Sequence, residues 1–264
     1  VIGERREAAD RTLPARAIIT DPVLLVAVNQ TAGRGRMGKT WQSTVGASLT
    51  FSMGLPLQPA DWSGLSLAVG VSVAESLTTL LARTPLSAGV QTPPAVQLKW
   101  PNDLWIDGKK AVGILIETAH AGGNRYVVIG VGINIAPPSS VPAAPATALS
   151  GHTAMPPVPP TGLADFAASL DAADALASVL PQLLADVLTF ETRGFAAFTQ
   201  RFAARDALAN QPLLLSDGTQ GMGQGVDATG ALQVLTAQGL RSVNSAEVSV
   251  RPVASAVTSQ GQPC

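Results

Sequence analysis

The chain has 264 residues, 46% of them hydrophobic and only 13% charged, with a formal net charge of −1. That length and apolar content suffice for one large domain, or for one large and one small. The near-zero charge excludes whole-molecule attraction to nucleic acid, so any anion site has to be local. The single cysteine, Cys264, excludes a disulfide framework and a Cys/His metal cluster. No protein metal site is expected. The two histidines, His120 and His152, fall in an expected turn and a proline-rich loop, and both read as surface residues. There is no uninterrupted 18-residue apolar run and no signal peptide, so a soluble, cytoplasmic protein without membrane contact is expected.

In chain order, Glu4 to Arg16 reads as a helix and Val23 to Asn29 as a strand. Ser48 to Leu55 is a second strand. Asp61 is placed to cap a helix over Ser63 to Ala82, whose apolar face is Leu65, Val69, Val73, Leu77 and Leu80 or Leu81. A strand meander follows through Val96–Lys99, Leu104–Ile106, Lys110–Thr118 and Arg125–Ile135. Its turns are Asp107-Gly108 and Gly122-Gly123-Asn124. Asp-Gly between apolar runs predicts a type I′ hairpin, since both residues tolerate positive φ. Helix plus hairpins argue for an α/β (α+β) protein with a mixed β-sheet flanked by helices.

Ala136 to Pro160 holds eight of the twenty prolines and reads as a connector. Leu163 to about Arg205 is helical, with Pro181 predicting a kink or break. Beyond Asp206 come short β runs at Pro212–Ser216, Gly221–Val226, Ala231–Thr236 and Arg241–Val250. They read as a small meander or barrel. The expected division is a large domain over 1–205, a small β domain over 206–253 and a tail over 254–264.

Two stretches carry chemistry. Gln30-Thr-Ala-Gly-Arg-Gly-Arg-Met-Gly-Lys39 contains a literal G-x-G-x-x-G, Gly33 to Gly38. The residues after it lack a helical period and no acid follows at the dinucleotide spacing, so that reading is rejected. What remains is a glycine loop presenting Arg34, Arg36 and Lys39, whose forked donors suit phosphate or carboxylate. Without an apolar anchor, it is expected to order over its ligand. The second stretch is Lys99-Trp-Pro-Asn-Asp103 with Gly108-Lys-Lys-Ala-Val-Gly-Ile114, which puts Lys99, Lys109 and Lys110 on strands.

Together with Gly130-Val-Gly-Ile-Asn134, these stretches resemble the ordered motif set of bacterial biotin–protein ligases, from about residue 20 to about residue 253. The resemblance implies a catalytic domain with a small C-terminal SH3-like β-barrel. It implies ATP-dependent activation of biotin to biotinyl-5′-adenylate, then transfer to a lysine of a biotin carboxyl carrier domain, that of acetyl-CoA carboxylase or a related carboxylase. Mg²⁺ is implied on the ATP phosphates.

Position by position, Gln30, Gly33, Arg34, Gly35, Arg36 and Lys110 match the family's biotin and adenylate contacts. Lys99, Asn102, Gly132 and Asn134 match nucleotide contacts. Lys110, Arg36 and Asp103 are the implied catalytic groups, Asp103 orienting or deprotonating the incoming lysine. Pro101-Asn102-Asp103 also reads as an ordinary turn, Gly130 and Gly132 as a strand bulge, and Trp41, Trp100 and Trp105 as pocket wall or as core. The family's N-terminal Ser-Thr-Asn, a contact of the biotin ureido ring, is not found in residues 1–20. Truncation, a misassigned start or impaired activity would each account for that. No helix-turn-helix is read either, so DNA binding is not expected; homodimerisation is left open. A lipoate–protein ligase-like transferase and an impaired adenylate-binding module are the alternatives.

Overall fold

The computed structural model describes residues 21–121, 124–138, 160–244 and 250–252. Residues 1–20, with the helix expected over Glu4–Arg16 and the stretch in which Ser-Thr-Asn is not found, lie outside them, as do most of the proline-rich connector and the tail.

A six-stranded sheet forms the larger part, in the order β1-β2-β6-β5-β4-β3. The strands are β1 (Val23–Ala27), β2 (Ser48–Pro56), β3 (Val96–Lys99), β4 (Asp103–Ile106), β5 (Lys109–Ala121) and β6 (Asn124–Asn134). Every one of these pairings is antiparallel. This corrects the mixed sheet expected from sequence. Among the described residues the one parallel contact is an isolated bridge between Asp206 and Leu98. Hairpins build most of the sheet, and hairpin neighbours run antiparallel by geometry. His120 lies on β5 and not in a turn.

Period-two alternation divides the two faces of the sheet. Val112 and Ile114 on β5, and Val127, Ile129, Val131 and Ile133 on β6, are buried in the core. Gly113, Leu115 and Glu117, with Val128, Gly130 and Gly132, line a cleft on the other face. The core side is covered by α1 (Leu65–Arg83) and α2 (Ala172–Arg193). Val71, Val73, Leu77 and Leu81 of α1 are 0% exposed, and each such burial stabilises the fold by about 1.5–3 kcal/mol. The 19 residues of α1, with a mean hydropathy of 1.6, are long and apolar enough to cross a bilayer, as are the 22 of α2 at 1.3. In this fold α1 is the central core helix.

Asp61 does not cap α1. The cap position is Gly64, at φ 80°, while the Asp61 carboxylate accepts from the Ser63 amide at 2.9 Å. Asp171 does cap α2, accepting from Ala173 and Asp174 at 2.8 and 2.9 Å. Pro181 neither ends nor splits α2, which runs through it. Pro181 is solvent-exposed, so water can satisfy the carbonyl its ring leaves free. A short helix, α3 (Thr199–Ala203), sends Arg201 between Glu75 of α1 (2.6 Å) and Asp186 of α2 (2.7 Å), tying the three helices together.

The second sheet has five antiparallel strands, in the order β10-β9-β8-β7-β11. They are β7 (Pro212–Leu215), β8 (Gln220–Val226), β9 (Leu232–Thr236), β10 (Gly239–Val243) and β11 (Val250–Pro252). The run expected over Arg241–Val250 is two strands on opposite edges of this sheet. This is the small antiparallel β unit expected after Asp206, and among the described residues no pairing joins β10 to β11.

Candidate active site

The site grows from the β4–β5 hairpin. Asp107 (φ 52°) and Gly108 (φ 69°) make the tight turn that the Asp-Gly pair predicts. A register shift between Leu104 and Trp105 follows. Lys110 then turns back across the hairpin, and its Nζ lies 2.6 Å from Asp103 Oδ1. Asn102 is pinned to β5 from both ends of the residue. Its Nδ2 donates to the Ile114 carbonyl (2.8 Å), and its own carbonyl accepts from the Ile114 amide (2.9 Å).

The glycine loop is folded as a tight turn. Arg34 and Thr40 form an antiparallel bridge, and the Gly35 amide donates to the Lys39 carbonyl at 2.7 Å. The tip residues Met37 and Gly38 have φ of 56° and 72°. Arg36 Nη1 donates to Asn102 Oδ1 at 3.4 Å, and Arg34 faces Glu117 at 3.5 Å. The Arg34 pair is well exposed and contributes little stability. Burial pulls the Arg36 guanidinium below its ordinary pKa, partly offset by the charge of Asp103.

The loop carries an apolar anchor that sequence reading did not assign. Trp41 lies on a floor made by two glycines of neighbouring strands. A Cβ at Gly132 would come within 2.4 Å of the ring, and one at Gly113 within 2.9 Å. Lys110 Nζ stands 5.6 Å from the ring centroid, a cation–π distance. Trp41 Nε1 is buried and has no hydrogen-bond partner among the described residues. Gly33 fixes the base of the loop. Its carbonyl accepts from the Trp41 amide at 2.9 Å, and a Cβ there would meet the Trp41 carbonyl at 2.4 Å.

These parts surround a cleft of about 320 Å³. Arg34, Arg36, Lys39, Lys99 and Lys110 face only two carboxylates in its lining, Asp103 and Glu117. A cationic pocket thus sits on a chain whose net charge is −1. Leu25, Leu115 and Val128 add an apolar wall to its lining, with Thr50 and Ser52 as polar points. Such a cleft suits a ligand with an anionic end and a largely apolar body.

Of the residues expected from sequence, Gln30, Arg34, Gly35, Arg36, Lys99, Asn102, Asp103, Lys110 and Gly132 all line the cleft. Asn134 and Gly33 do not. Asn134 is 3% exposed and lies behind the wall, its Nδ2 donating to the Thr161 carbonyl (3.0 Å) and the Lys110 carbonyl (3.4 Å). Its position fits a brace for the Lys110 backbone. Glu117 was not singled out, although the i, i+2 row from Gly113 through Leu115 leads to it. Trp100 is core, at 1% exposure.

The six-stranded antiparallel sheet, with helices on one face and a cationic cleft on the other, defines the protein class. Residues 17–134 match the family described as Biotin/lipoate A/B protein ligase family, and residues 213–251 match the Biotin protein ligase C terminal domain. The biotin–[acetyl-CoA-carboxylase] ligase of Paracoccus denitrificans is 31% identical over 231 residues, covering 85% of this chain and 88% of that protein. The chain belongs to the biotin–protein ligase family. The bifunctional ligase/repressor BirA of Escherichia coli is 34% identical over 213 residues, 78% of this chain and 60% of that protein. The chain therefore spans less than two thirds of the length of that relative. The biotin protein ligase of Aquifex aeolicus in complex with biotin and ATP superposes with a TM-score of 0.68 at 25% identity, covering 94% of each chain.

Proposed function

We propose that this chain activates biotin with ATP and transfers it to a lysine of a biotin carboxyl carrier domain. The observation that carries the reading is the Lys110–Asp103 pair at 2.6 Å, set among Arg34, Arg36 and Lys99 in the lining of the cleft. In the first step a biotin carboxylate oxygen attacks the α-phosphorus of ATP. The bond to the β-phosphate bridge breaks and pyrophosphate leaves. Two anions must approach, so fixed cations lower the barrier more than mobile water can. Lys110 is held on a strand and aims at the bridging and non-bridging oxygens. Arg36, already desolvated, clamps the α-phosphate, and Gly35 leaves room for its close approach. Gln30 and Arg34 close over the biotin side. Lys99, Asn102 and Gly132 serve the nucleotide.

In the second step the carrier lysine attacks the mixed anhydride carbonyl, and AMP leaves. Asp103 receives and orients the incoming ammonium and takes a proton from it. Lys110 must release Asp103 for this, which the phosphate favours by drawing the lysine to itself. The apolar wall of Leu25, Leu115 and Val128 matches the valeryl chain and thiophane ring of biotin. Among the described residues no three carboxylate, histidine or cysteine groups gather to hold a metal. Mg²⁺ would be bound by the triphosphate and water, where it would neutralise phosphate charge.

Biotin-dependent exchange of labelled pyrophosphate into ATP tests the first step. Transfer of labelled biotin to the carrier domain of acetyl-CoA carboxylase tests the second. Exchange driven by lipoate instead of biotin would reassign the substrate. Absence of exchange with either would sink the adenylating reading.

A further inference from the structure

The segment Leu98–Asp103, which carries four residues of the cleft lining, Lys99, Pro101, Asn102 and Asp103, is gripped from outside the cleft as well as inside it. On one side the stretch between α3 and β7 lies along it. The Leu98 amide donates to the Arg205 carbonyl at 2.8 Å, and the Ala207 amide donates to the Leu98 carbonyl at 2.9 Å. On another side the start of α1 holds it, Ser66 Oγ donating to the Pro101 carbonyl at 3.2 Å. The third grip comes from the second sheet. Trp100 Nε1 donates to the Gly230 carbonyl at 3.0 Å, a buried bond across 130 positions of sequence.

Gly230 sits in the β8–β9 turn at φ 82°, where a Cβ would come within 3.0 Å of Gly64 Cα and of Leu67 Cδ1. Asp227 builds that turn, accepting from the Thr229 amide at 2.8 Å and the Ala231 amide at 3.1 Å. The Gly230 carbonyl is thus presented by a rigid turn pressed against the head of α1. The ring of Trp100 is buried, and its one polar atom is satisfied from the other sheet.

We propose that Trp100 is a positioning residue: its indole N–H latches the Lys99–Asp103 segment onto the β8–β9 turn, so that the seating of the C-terminal sheet sets the geometry of the nucleotide side of the cleft. The proposal rests on the adenylating reading above and adds a route by which the C-terminal sheet acts without entering the cleft. Trp100 is followed by Pro101 and then by Asn102 and Asp103. A shift of the indole therefore moves the backbone that aims both side chains, and moves Lys99 on its other flank. Asn102 passes the shift to Arg36 and to β5 through the bonds described above.

Two variants break the latch from opposite sides. Trp100→Phe keeps an aromatic ring but removes the donor, leaving the Gly230 carbonyl buried and unpaired. Gly230→Ala keeps the donor but forces the turn away from α1. Each is expected to raise KM for ATP in biotin-dependent pyrophosphate exchange roughly tenfold, the scale of one lost buried hydrogen bond, while kcat changes less than about threefold. Because both break one contact, the double variant should be no worse than the poorer single. A purely structural role predicts a lower melting temperature and a smaller active fraction with KM for ATP unchanged. That outcome, or effects of the two variants that multiply, overturns the proposal.

If one variant does not fold, the other decides. If the unaltered protein shows no exchange, the adenylating reading fails, and hydrogen exchange then tests the latch alone. The Leu98 and Ile114 amides should lose protection in Trp100→Phe, and unchanged protection overturns the latch.

Discussion

Lys110 Nζ and Asp103 Oδ1 lie 2.6 Å apart across the β4–β5 hairpin, and the same ammonium stands 5.6 Å from the centroid of Trp41. One cation is thus shared between a carboxylate and an aromatic face, ready to be drawn away by a stronger anion. Lys110→Ala is expected to slow adenylation roughly 10²–10³-fold, the scale of one pre-organised charge lost from a transition state. The Lys110 side chain is 37% exposed, so the melting temperature should barely move. Single-turnover formation of the adenylate checks this. Normal turnover in Lys110→Ala, with loss in Lys109→Ala, would show that the neighbouring lysine does the work.

The Arg34–Thr40 turn should be cut by trypsin in the free protein and protected once biotin and ATP are bound. Its tip is exposed, Met37 at 64%, and the Arg34–Glu117 and Arg36–Asn102 contacts are long enough to open readily. Mass spectrometry of the fragments gives the rate at each arginine. Equal cleavage with and without ligands would contradict ordering of the loop. Arg36→Gly removes the desolvated guanidinium, so it should leak adenylate and raise unselective biotinylation of lysines on bystander proteins.

Gly132→Ala should evict Trp41 from its seat, because the new methyl would lie 2.4 Å from the ring. The half-buried indole then meets more water, and its fluorescence should shift to longer wavelength. Subtracting the spectrum of Trp41→Phe isolates the signal from the other three tryptophans. Overpacking of this kind costs about 1–3 kcal/mol, readable in urea. An unchanged emission maximum would mean that the floor yields instead of the ring.

Asp206, at the joint between the two sheets, gives the chain a pH-dependent term. Burial holds its carboxyl above the usual carboxylate range, against the pull of the Leu208 and Ala209 amides. A folded pKa above the unfolded one means that ionised Asp206 opposes folding at neutral pH. That penalty fades as pH falls through the folded value and is gone below the unfolded one. Asp206→Asn keeps an acceptor for the Leu208 amide, now 2.8 Å from Oδ1, and removes the charge. It should melt higher than the unaltered protein at pH 7, with the gap closing as pH is lowered toward about 4. A gap independent of pH would refute the assignment.

Local chemistry by itself determined a good part of this protein. Asp107-Gly108 needs positive φ at two successive residues, and few other pairs supply it, so the hairpin that carries Lys110 was legible in the sequence. The strands of the Val96–Ile135 meander were legible as well, from apolar β-rich runs between turn residues, but which of their residues face the core and which the cleft came only with the packing. The ordered motifs carried the family. Tertiary structure decided what depends on distant neighbours. Asn134 became a buried brace because the Thr161 and Lys110 carbonyls converge on it, which no spacing encodes. Trp41 became the loop's anchor because two glycines from different strands lie side by side beneath it. The sheet is antiparallel throughout its named strands because hairpins, not crossovers, build most of it, and Pro181 is absorbed because its face of α2 meets water. The Trp100–Gly230 bond joins residues 130 positions apart. Only the docking of one sheet against the other could bring that donor to that carbonyl.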